Sequence, residues 1–208
     1  MSSWKLLTAR WGSGAGETDE VRIDASTNAL ESIDYAHHEV HSGSSFACHF
    51  NNDVTNIGEM TAIAFNTPDT TKWPHLIIEA GSTGACYVAL YENTSIDVDE
   101  GTQLTIYNRN RNSATAATIL SIETVPVVNK ATSFNEGQAA AANITVTTEL
   151  ARNYLGAGEK KTVGGGARGS QEWVLDQANQ YCVLMYSLTN DDATHNITLD
   201  WYEHANRH

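Results

Sequence analysis

The side chains best suited to chemistry in this sequence form one short cluster, which consists of His37, His38, Glu39, His41 and His49. If this stretch is a strand, then His37, Glu39 and His41 share one face. Imidazole and carboxylate groups together are ligands for zinc or iron. Neighbouring positions on one face of a strand are about 7 Å apart, which is too far for three successive side chains to reach one ion easily. We therefore predict no metal site here, and expect a polar strand edge or a subunit contact.

Other motifs that carry chemistry are incomplete. The segment with Asp97, Asp99 and Glu100 alternates acidic residues like half of a calcium loop, but the glycine-centred EF-hand pattern does not follow. The sequence GGGARG lacks the Lys-Ser/Thr pair of a phosphate-binding loop, and no Gly-x-Ser-x-Gly nucleophile motif occurs. The sequence thus predicts no catalytic residues, no metal ligands and no cofactor. We expect a protein that is not an enzyme.

The charge balance of the chain bears on its partners. Among 208 residues there are 12 Lys and Arg against 25 Asp and Glu, so the formal net charge is −13. Such a charge repels phosphate groups, and we expect no contact with nucleic acid. No apolar run is long enough to span a bilayer, and the N-terminus lacks the apolar core of a signal peptide. We therefore expect neither a membrane partner nor secretion.

The three cysteines are widely separated, and each lies in an apolar, strand-like run. In such surroundings a cysteine behaves as a small buried hydrophobic residue. Cys48, Cys86 and Cys182 are therefore predicted to be buried and free of disulfides. This usage is typical of a protein that folds in a reducing cytoplasm.

Short segments rich in β-branched and aromatic residues dominate the chain, and clusters of Gly, Asn, Asp, Ser and Pro separate them. This pattern is typical of an antiparallel β-sandwich. We predict an all-β fold with one jelly-roll-like sandwich domain, residues 21–208, and an extended N-terminal arm, residues 1–20. The predicted strands include Ser45–Phe50, Met60–Phe65, His75–Ala80, Ala85–Tyr91, Gln103–Asn108 and Thr118–Ile122.

Two similar units predict β-hairpins. The C-terminal unit, Gln180–His204, has a strand-like segment on each side of the turn NDDATHN, and the earlier one has LTIYN and TILSI on either side of RNRNSATAA. In both units a tyrosine, Tyr107 or Tyr186, precedes an Ala-Thr pair by seven residues. Repeated hairpins of this kind build antiparallel sandwiches.

Two glycine-containing regions are candidates for binding a partner. The arm joins apolar residues to the flexible sequence GSGAGETDE, and it packs either on a neighbouring subunit or on its own domain. Residues 156–170 are predicted to be a long glycine-rich loop, and loops of this length are usually functional or disordered. Aromatic residues often anchor interfaces. The predicted partner-binding residues are Trp4, Leu6, Leu7, Trp11, Lys160, Lys161 and Arg168.

Three stretches of the sequence resemble virion structural proteins of tailed bacteriophages. They are IDASTNALESIDYAHHEVHSGSSF at 23–46, FNTPDTTKWPHLIIEA at 65–80 and EWVLDQANQYCVLMYSLTNDDATHNITLDWYEH at 172–204. In that order they are similar to head-decoration, or cement, proteins. The resemblance implies a jelly-roll-like sandwich that binds the major capsid protein lattice as a homo-oligomer, with a trimer favoured over a dimer. It also implies a place on the capsid surface of the virion and synthesis in the host bacterial cytoplasm.

Two other functions remain open from the sequence. A head-fibre or tail-associated binding module that recognises host surface glycans requires a solvent-facing aromatic platform with polar groups beside it. A metal-dependent jelly-roll enzyme requires converging ligands, for which the histidine cluster is the candidate. The sequence favours the decoration protein, and the glycan-binding module is the alternative.

Overall fold

The computed structural model describes residues 8–9, 19–20, 35–96, 101–124, 139–141, 144–145, 148–156, 160–163 and 172–205. The chain divides into two compact units, residues 1–38 and residues 39–208. In the first unit, strand β1 (Thr8–Ala9) pairs antiparallel with β2 (Asp19–Glu20). These two strands belong to the segment predicted as the arm, and the rest of that segment lies outside the described residues.

One helix and fourteen strands follow along the described chain. The first of them are α1 (Tyr35–Ser42), β3 (Ser45–Val54), β4 (Met60–Asn66), β5 (Lys72–Ser82), β6 (Cys86–Glu92) and β7 (Ser95–Ile96). The middle group is β8 (Tyr107–Asn108), β9 (Leu120–Thr124), β10 (Ala139–Ala141), β11 (Ile144–Thr145) and β12 (Thr148–Leu155). The last are β13 (Lys160–Val163), β14 (Trp173–Val174), β15 (Gln180–Ser187) and β16 (Ala193–Ala205).

Two large antiparallel sheets form the body of the second unit. The six-stranded sheet has the order β13-β5-β16-β3-β8, with β14 also paired to β5, and the five-stranded sheet has the order β12-β6-β15-β4-β9. A small third sheet has the order β10-β11-β7. Successive long strands alternate between the two large sheets, from β3 to β6 and again from β15 to β16. The prediction of an all-β antiparallel sandwich is confirmed.

The main core lies between the two large sheets. Every second residue of the long strands points into it, so that Leu199 and Trp201 of β16 meet residues such as Val183 of β15 in one buried cluster. Trp201 is fully buried, and its ring lies against that of Phe46 with 5.8 Å between the centroids. Each large apolar side chain that is removed from water in this way stabilises the fold by about 1.5–3 kcal/mol.

The five-stranded sheet is also buried on its other face. Residues that point away from the main core form a second apolar cluster, which comprises Met60, Ala62, Ala64, Tyr87, Ala89, Tyr91, Cys182, Leu184 and Tyr186. Burial on both faces explains why MTAIAF, CYVALY and YCVLMY are continuous apolar runs without alternation. The outer face of the six-stranded sheet is mostly polar, and the alternation in ITLDWYEH reflects that difference.

All three cysteines are buried free thiols in the structure, which confirms the prediction. Cys48 and Cys86 belong to the main core, and Cys182 belongs to the second cluster. Burial raises the pKa of Cys48 and of Cys182 to about 12, so both remain protonated and unreactive near neutral pH.

The prediction of a C-terminal β-hairpin is wrong. β15 pairs with β4 and β6 in the five-stranded sheet, whereas β16 pairs with β3 and β5 in the six-stranded sheet. The turn between them therefore carries the chain across the core from one sheet to the other. A hairpin and such an arch share the same sequence pattern, because both have two apolar strands around a polar turn.

The earlier predicted hairpin is correct only at its base. Leu104 N–H donates to Ile122 O and Thr124 N–H donates to Thr102 O, each at 2.9 Å, so the two arms pair there. Further along, the two arms separate, because β8 pairs with β3 in one sheet and β9 pairs with β4 in the other. The residues between β8 and β9 thus connect the two sheets.

The histidine cluster does not lie on one strand. Residues 35–42 form α1, so the prediction of a strand for His37, Glu39 and His41 is wrong, while His49 lies on β3. A helix this short is marginal in isolation, so local sequence is a weak guide. Contacts distant in sequence hold its C-terminal end, where Asn110 Nδ2 donates to His41 O at 3.0 Å.

The helix ends in a Schellman motif built on Gly43. Ser44 N–H donates to Glu39 O at 2.9 Å, and Gly43 N–H donates to Val40 O at 3.2 Å. Gly43 has φ 79°, a left-handed conformation that glycine adopts without the steric cost of a Cβ. A Cβ on this residue would lie 2.8 Å from Ser113 Cβ and closer still to Ser113 Oγ. The glycine therefore both ends the helix and admits the loop that carries Ser113.

Replacing Gly43 with alanine is expected to lower the free energy of unfolding by about 2 kcal/mol, from left-handed strain and the conflict with Ser113 together. Urea unfolding followed by circular dichroism would measure the loss. Gly58→Ala is the matched control, because Gly58 has φ 86° but lies in the β3–β4 turn, away from Ser113. Equal losses in the two variants would contradict the steric part of the argument.

Candidate functional site

Most of the predicted partner-binding residues are not placed by the structure. Trp4, Leu6, Leu7, Trp11 and Arg168 lie outside the described residues. Their role in binding a partner therefore stays a prediction from the sequence alone.

The other two predicted residues, Lys160 and Lys161, lie on β13. Their backbones pair with Gly81 and Ala80 of β5, so the prediction of a loop throughout residues 156–170 is wrong for this strand. Among the described strands of the six-stranded sheet, β13 lies at one edge. Lysines are common on such strands because their charge discourages pairing with another chain. KKTV forms a strand here through its backbone pairing with β5, which the local sequence does not show.

The outer face of the six-stranded sheet holds the side chains best placed to meet a ligand. The strand register sets Thr198 opposite His49 and Asp200 opposite Ala47. On the other side of Ala47, the register sets Tyr107 of β8. A small methyl group therefore lies between an aromatic ring and a carboxylate, and all five side chains are at least partly exposed.

Tyr107, His49 and Arg111 form an exposed group that we call the aromatic platform. The Tyr107 side chain is 42% exposed. Its ring is nearly parallel to that of His49, with an interplanar angle of 11° and 6.2 Å between the centroids. The guanidinium carbon of Arg111 lies 5.7 Å from the Tyr107 ring centroid, which is within cation–π range. The platform thus offers an aromatic surface and a positive charge at one place.

Amide side chains hold the loop of residues 107–115 in place. Asn108 Nδ2 donates to the backbone oxygen of Gly43 at 2.8 Å, and Asn110 Nδ2 donates to that of His41 at 3.0 Å. Within the loop, Asn108 Oδ1 also accepts from the backbone N–H of Asn110 at 2.9 Å. The loop is therefore tied to the end of α1 before any ligand binds.

An ion pair lies beside the aromatic platform. Arg109 Nη1 is 2.9 Å from Asp200 Oδ2, and both side chains are partly exposed. Exposed pairs of this kind contribute about 0–1 kcal/mol to stability. The main effect of the pair is to orient the Asp200 carboxylate on the outer face of the sheet.

A second polar group on the same face, the His75 cluster, consists of His75, Glu172, Tyr202 and His204. Glu172 Oε2 is 3.1 Å from His75 Nδ1 and accepts from Tyr202 Oη at 3.0 Å. The Nε2 atoms of His75 and His204 are 2.8 Å apart. Because an ionised carboxylate only accepts, His75 donates at Nδ1, and a neutral His75 then accepts at Nε2 from His204.

The His75 cluster is a structural tie between elements. Burial, and then the neighbouring His75, lower the pKa of His204, while Glu39 and Glu172 act in the opposite direction. The cluster joins β5, β16 and the residue that precedes β14. Within the described part of the chain, no three His, Cys, Asp or Glu side chains are grouped so that they could hold a metal ion.

A third candidate surface, which we call the apolar end, consists of Ile57 and Leu188 on two loops at one end of the sandwich. Their side chains are 50% and 39% exposed. The loops are joined by two hydrogen bonds, from Gly58 N–H to Ser187 O at 2.9 Å and from Ile57 N–H to Asn190 Oδ1 at 3.1 Å. The apolar end is therefore both exposed and fixed in position.

Sequence reasoning missed two residues of the aromatic platform, Tyr107 and Arg111, as binding candidates. The segment RNRN was interpreted only as a turn, which drew attention away from Tyr107 and Arg111. A usable signal was present, because exposed Gln103, Thr105 and Tyr107 alternate with the less exposed Leu104 and Ile106. Alternation places Tyr107 on the side that faces solvent.

No protein-family model matches this chain, and no curated protein matches it in sequence. Among the described residues, no helix has the length and apolar character needed to cross a membrane.

Proposed function

We propose that this protein is a virion structural protein that decorates the outer surface of a tailed-phage capsid. It binds the major capsid protein lattice as a homo-oligomer, with a trimer favoured over a dimer. The resemblance of residues 23–46, 65–80 and 172–204 to head-decoration proteins supports the proposal. In this proposal the protein acts only by binding and catalyses no reaction.

The observation that carries this proposal is the apolar end. Neighbouring exposed apolar groups mark interaction sites, whereas isolated ones are common on soluble proteins. Ile57 and Leu188 are exposed on two loops that hydrogen bonds join. Anchoring aliphatic residues of this kind contribute about 1–3 kcal/mol each when a partner covers them. A standard interface buries about 1,600 Å² in total, so neighbouring residues must contribute to it as well. When several subunits of one oligomer bind the lattice together, the oligomer binds much more tightly than one subunit would alone.

The strand order supports the jelly-roll-like part of the proposal. In the six-stranded sheet β16 lies between β3 and β5, and in the five-stranded sheet β15 lies between β4 and β6. The last two long strands thus insert between earlier ones in both sheets. A jelly roll consists of two Greek keys, and in that fold late strands lie between earlier ones in both sheets, as β15 and β16 do here.

The net charge supports a position on the outside of the shell. At −13, the chain is repelled by packaged DNA. A subunit on the outer surface braces the shell without meeting nucleic acid, and it is made in the host bacterial cytoplasm before it attaches.

Introducing a charge at the apolar end is expected to weaken capsid binding. A double variant, Ile57→Asp with Leu188→Asp, should bind empty capsids at least about tenfold more weakly than the wild-type chain, because the two anchors become charged. Co-sedimentation with empty capsids would measure the affinity, and circular dichroism would confirm that the variant folds.

Val174→Asp is the control for this experiment, because Val174 on β14 is 50% exposed but belongs to a different surface. It should bind capsids like the wild-type chain. Unchanged binding of the double variant, or an equal loss in the control, would contradict the assignment of the apolar end.

The alternative, a glycan-recognising module on a head fibre or the tail, is favoured by one specific observation. It requires an exposed aromatic surface with polar groups beside it, and the aromatic platform on the six-stranded sheet has both.

A further inference from the structure

We propose that the aromatic platform is a binding site for an acidic saccharide, that is, a sugar that carries a carboxylate. This inference goes beyond capsid decoration and would hold whether or not the chain attaches to a shell. It rests on the exposure of Tyr107, the charge of Arg111 and the rigidity of the loop between them.

The Tyr107 ring provides the stacking surface. The apolar C–H face of a pyranose packs on an aromatic ring, and a tyrosine loses little side-chain entropy when it does so. Tyr107 is 42% exposed, and the His49 ring on β3 stacks beside it, nearly parallel, with 6.2 Å between the centroids. His49 therefore supports the orientation of the Tyr107 ring.

The sheet beside Tyr107 provides polar groups at suitable positions. Ala47 lies between Tyr107 and Asp200 in the register, so its methyl group forms a shallow floor there. The Asp200 carboxylate, oriented by Arg109, can accept hydrogen bonds from sugar hydroxyls. Thr198, opposite His49, adds a hydroxyl that can both donate and accept.

The surroundings of Arg111 favour an acidic sugar as the ligand rather than a neutral one. Two other arginines of the described part have carboxylate partners, Arg109 with Asp200 and Arg152 with Glu149. Arg111 pairs with no carboxylate among the described residues, although the whole chain has 25 acidic residues. Its recorded contacts are the Tyr107 ring and a long hydrogen bond to Asn108 O at 3.5 Å. A guanidinium in this position is complementary to a carboxylate.

The loop requires little ordering when a ligand binds. Asn108 and Asn110 fix it to the backbone of Gly43 and His41, as described above. Binding therefore does not have to offset the cost of ordering a mobile loop. Weak contacts on an open, shallow surface can then give measurable affinity.

The net negative charge of the chain favours an acidic sugar over a nucleic acid as the ligand. Aromatic rings and arginines also bind single-stranded nucleic acid, but such sites use a groove with many cations along the phosphate backbone. Here the net charge is −13, and the face carries Asp200 and Glu79 as well as the arginines. A single carboxylate fits this arrangement, whereas a polyphosphate is repelled.

Calorimetric titration of the full chain would test the inference with two acidic probes that carry one carboxylate each, galacturonate and sialyllactose. Their neutral counterparts are the methyl ester of galacturonate and lactose. We expect at least one acidic probe to bind, and its neutral counterpart to bind about fivefold or more weakly, because the charge-assisted bond to Arg111 is lost. A single-stranded oligonucleotide serves as the third type of probe.

Variants locate the site. Tyr107→Ala should weaken binding at least about tenfold, and Arg111→Gln should remove the preference for the acidic probe while retaining weak binding of both sugars. Tyr154→Ala is the matched control, because Tyr154 is a 60% exposed tyrosine on β12 of the other sheet. It should bind like the wild-type chain.

Three results would overturn the inference. They are no binding of either acidic probe, binding that Tyr107→Ala leaves unchanged, and tighter binding of the oligonucleotide than of both sugars. Capsid co-sedimentation of Tyr107→Ala separates this inference from the proposed function, because that variant should bind capsids normally. Loss of sugar binding with normal capsid binding would support both proposals independently.

Discussion

Replacing Glu203 with alanine is expected to destabilise the protein by about 3–5 kcal/mol, the largest effect that we predict for a single polar residue. Glu203 is 1% exposed and lies near the C-terminal end of β16. Its carboxylate accepts from Thr118 Oγ1 at 2.7 Å, from Thr118 N at 2.9 Å and from Trp201 Nε1 at 3.0 Å. Alanine leaves all of these buried donors without their acceptor.

The Glu203 carboxylate also fixes the position of a connection. The backbone N–H of Ile119 donates to it at 3.3 Å, so the residues just before β9 are tied to the last strand of the other sheet. Glu203→Gln should cost roughly half as much as the alanine variant, because an amide keeps one oxygen acceptor but places a donor against donors.

Urea unfolding of both variants would measure these losses. Asp192→Asn is the control, since Asp192 is exposed in the turn before β16 and its variant should stay within about 0.5 kcal/mol of the wild-type chain. A Glu203→Ala variant within 1 kcal/mol of the wild-type chain, on the order of an exposed polar change, would contradict the role of the carboxylate.

Acidification is expected to weaken the fold through His195. This side chain is fully buried, and burial lowers its pKa to about 4. Nδ1 lies 3.1 Å from Thr61 Oγ1, whereas Nε2 has no hydrogen-bond partner among the described residues. A charged imidazole therefore has no compensating partner in this position.

The direction of the pH effect on stability follows from proton binding by His195 in the folded and unfolded states. An unfolded histidine binds a proton near pH 6.5, whereas folded His195 remains neutral down to about pH 4. Between these values the unfolded state binds more protons, so stability falls as the pH is lowered, by up to about 3 kcal/mol. Below about pH 4 both states are protonated, and His195 causes no further loss.

Unfolding in urea at pH 7 and at pH 4.5 would measure the effect in the wild-type chain and in His195→Gln. The variant should lose about 2–3 kcal/mol less than the wild-type chain between these conditions, because glutamine does not titrate. His41→Gln, at an exposed position on α1, is the control and should follow the wild-type chain. Identical pH dependence in the wild-type chain and His195→Gln would show that His195 is not the titrating group.

The sequence was sufficient to predict the fold class, because it contains short β-rich segments with polar separators. The same information could not predict which strands pair. β15 and β16 have the pattern of a hairpin, yet β15 pairs with β4 and β16 pairs with β3, each more than a hundred residues earlier in the chain. A turn such as NDDATHN fits an arch between sheets as well as a hairpin, so pairing depends on tertiary contacts that local pattern does not encode.

Burial on both faces of the five-stranded sheet was visible in the sequence but not used. The continuous apolar run MTAIAF could not have belonged to a strand with one face in water, and the structure buries all six of its residues. The helix at residues 35–42 was harder to predict, because it is short and depends on Asn110, a residue far along the chain.

The candidate site was less predictable than the fold. Tyr107 and Arg111 lie only four positions apart, but His49 and Asp200 join them through strand register alone. Register is set by the packing of the whole sheet, so a sequence reading had no means to bring these residues together. The arm residues remain predictions for the opposite reason, since the described residues do not include them.

Imaging of the virion by electron cryomicroscopy would test the proposal of capsid decoration most directly. We expect density for this sandwich on the outer surface of the shell, in contact with major capsid protein subunits and repeated over the lattice. Density only on a head fibre or the tail, or no copy of the chain in the particle, would contradict it.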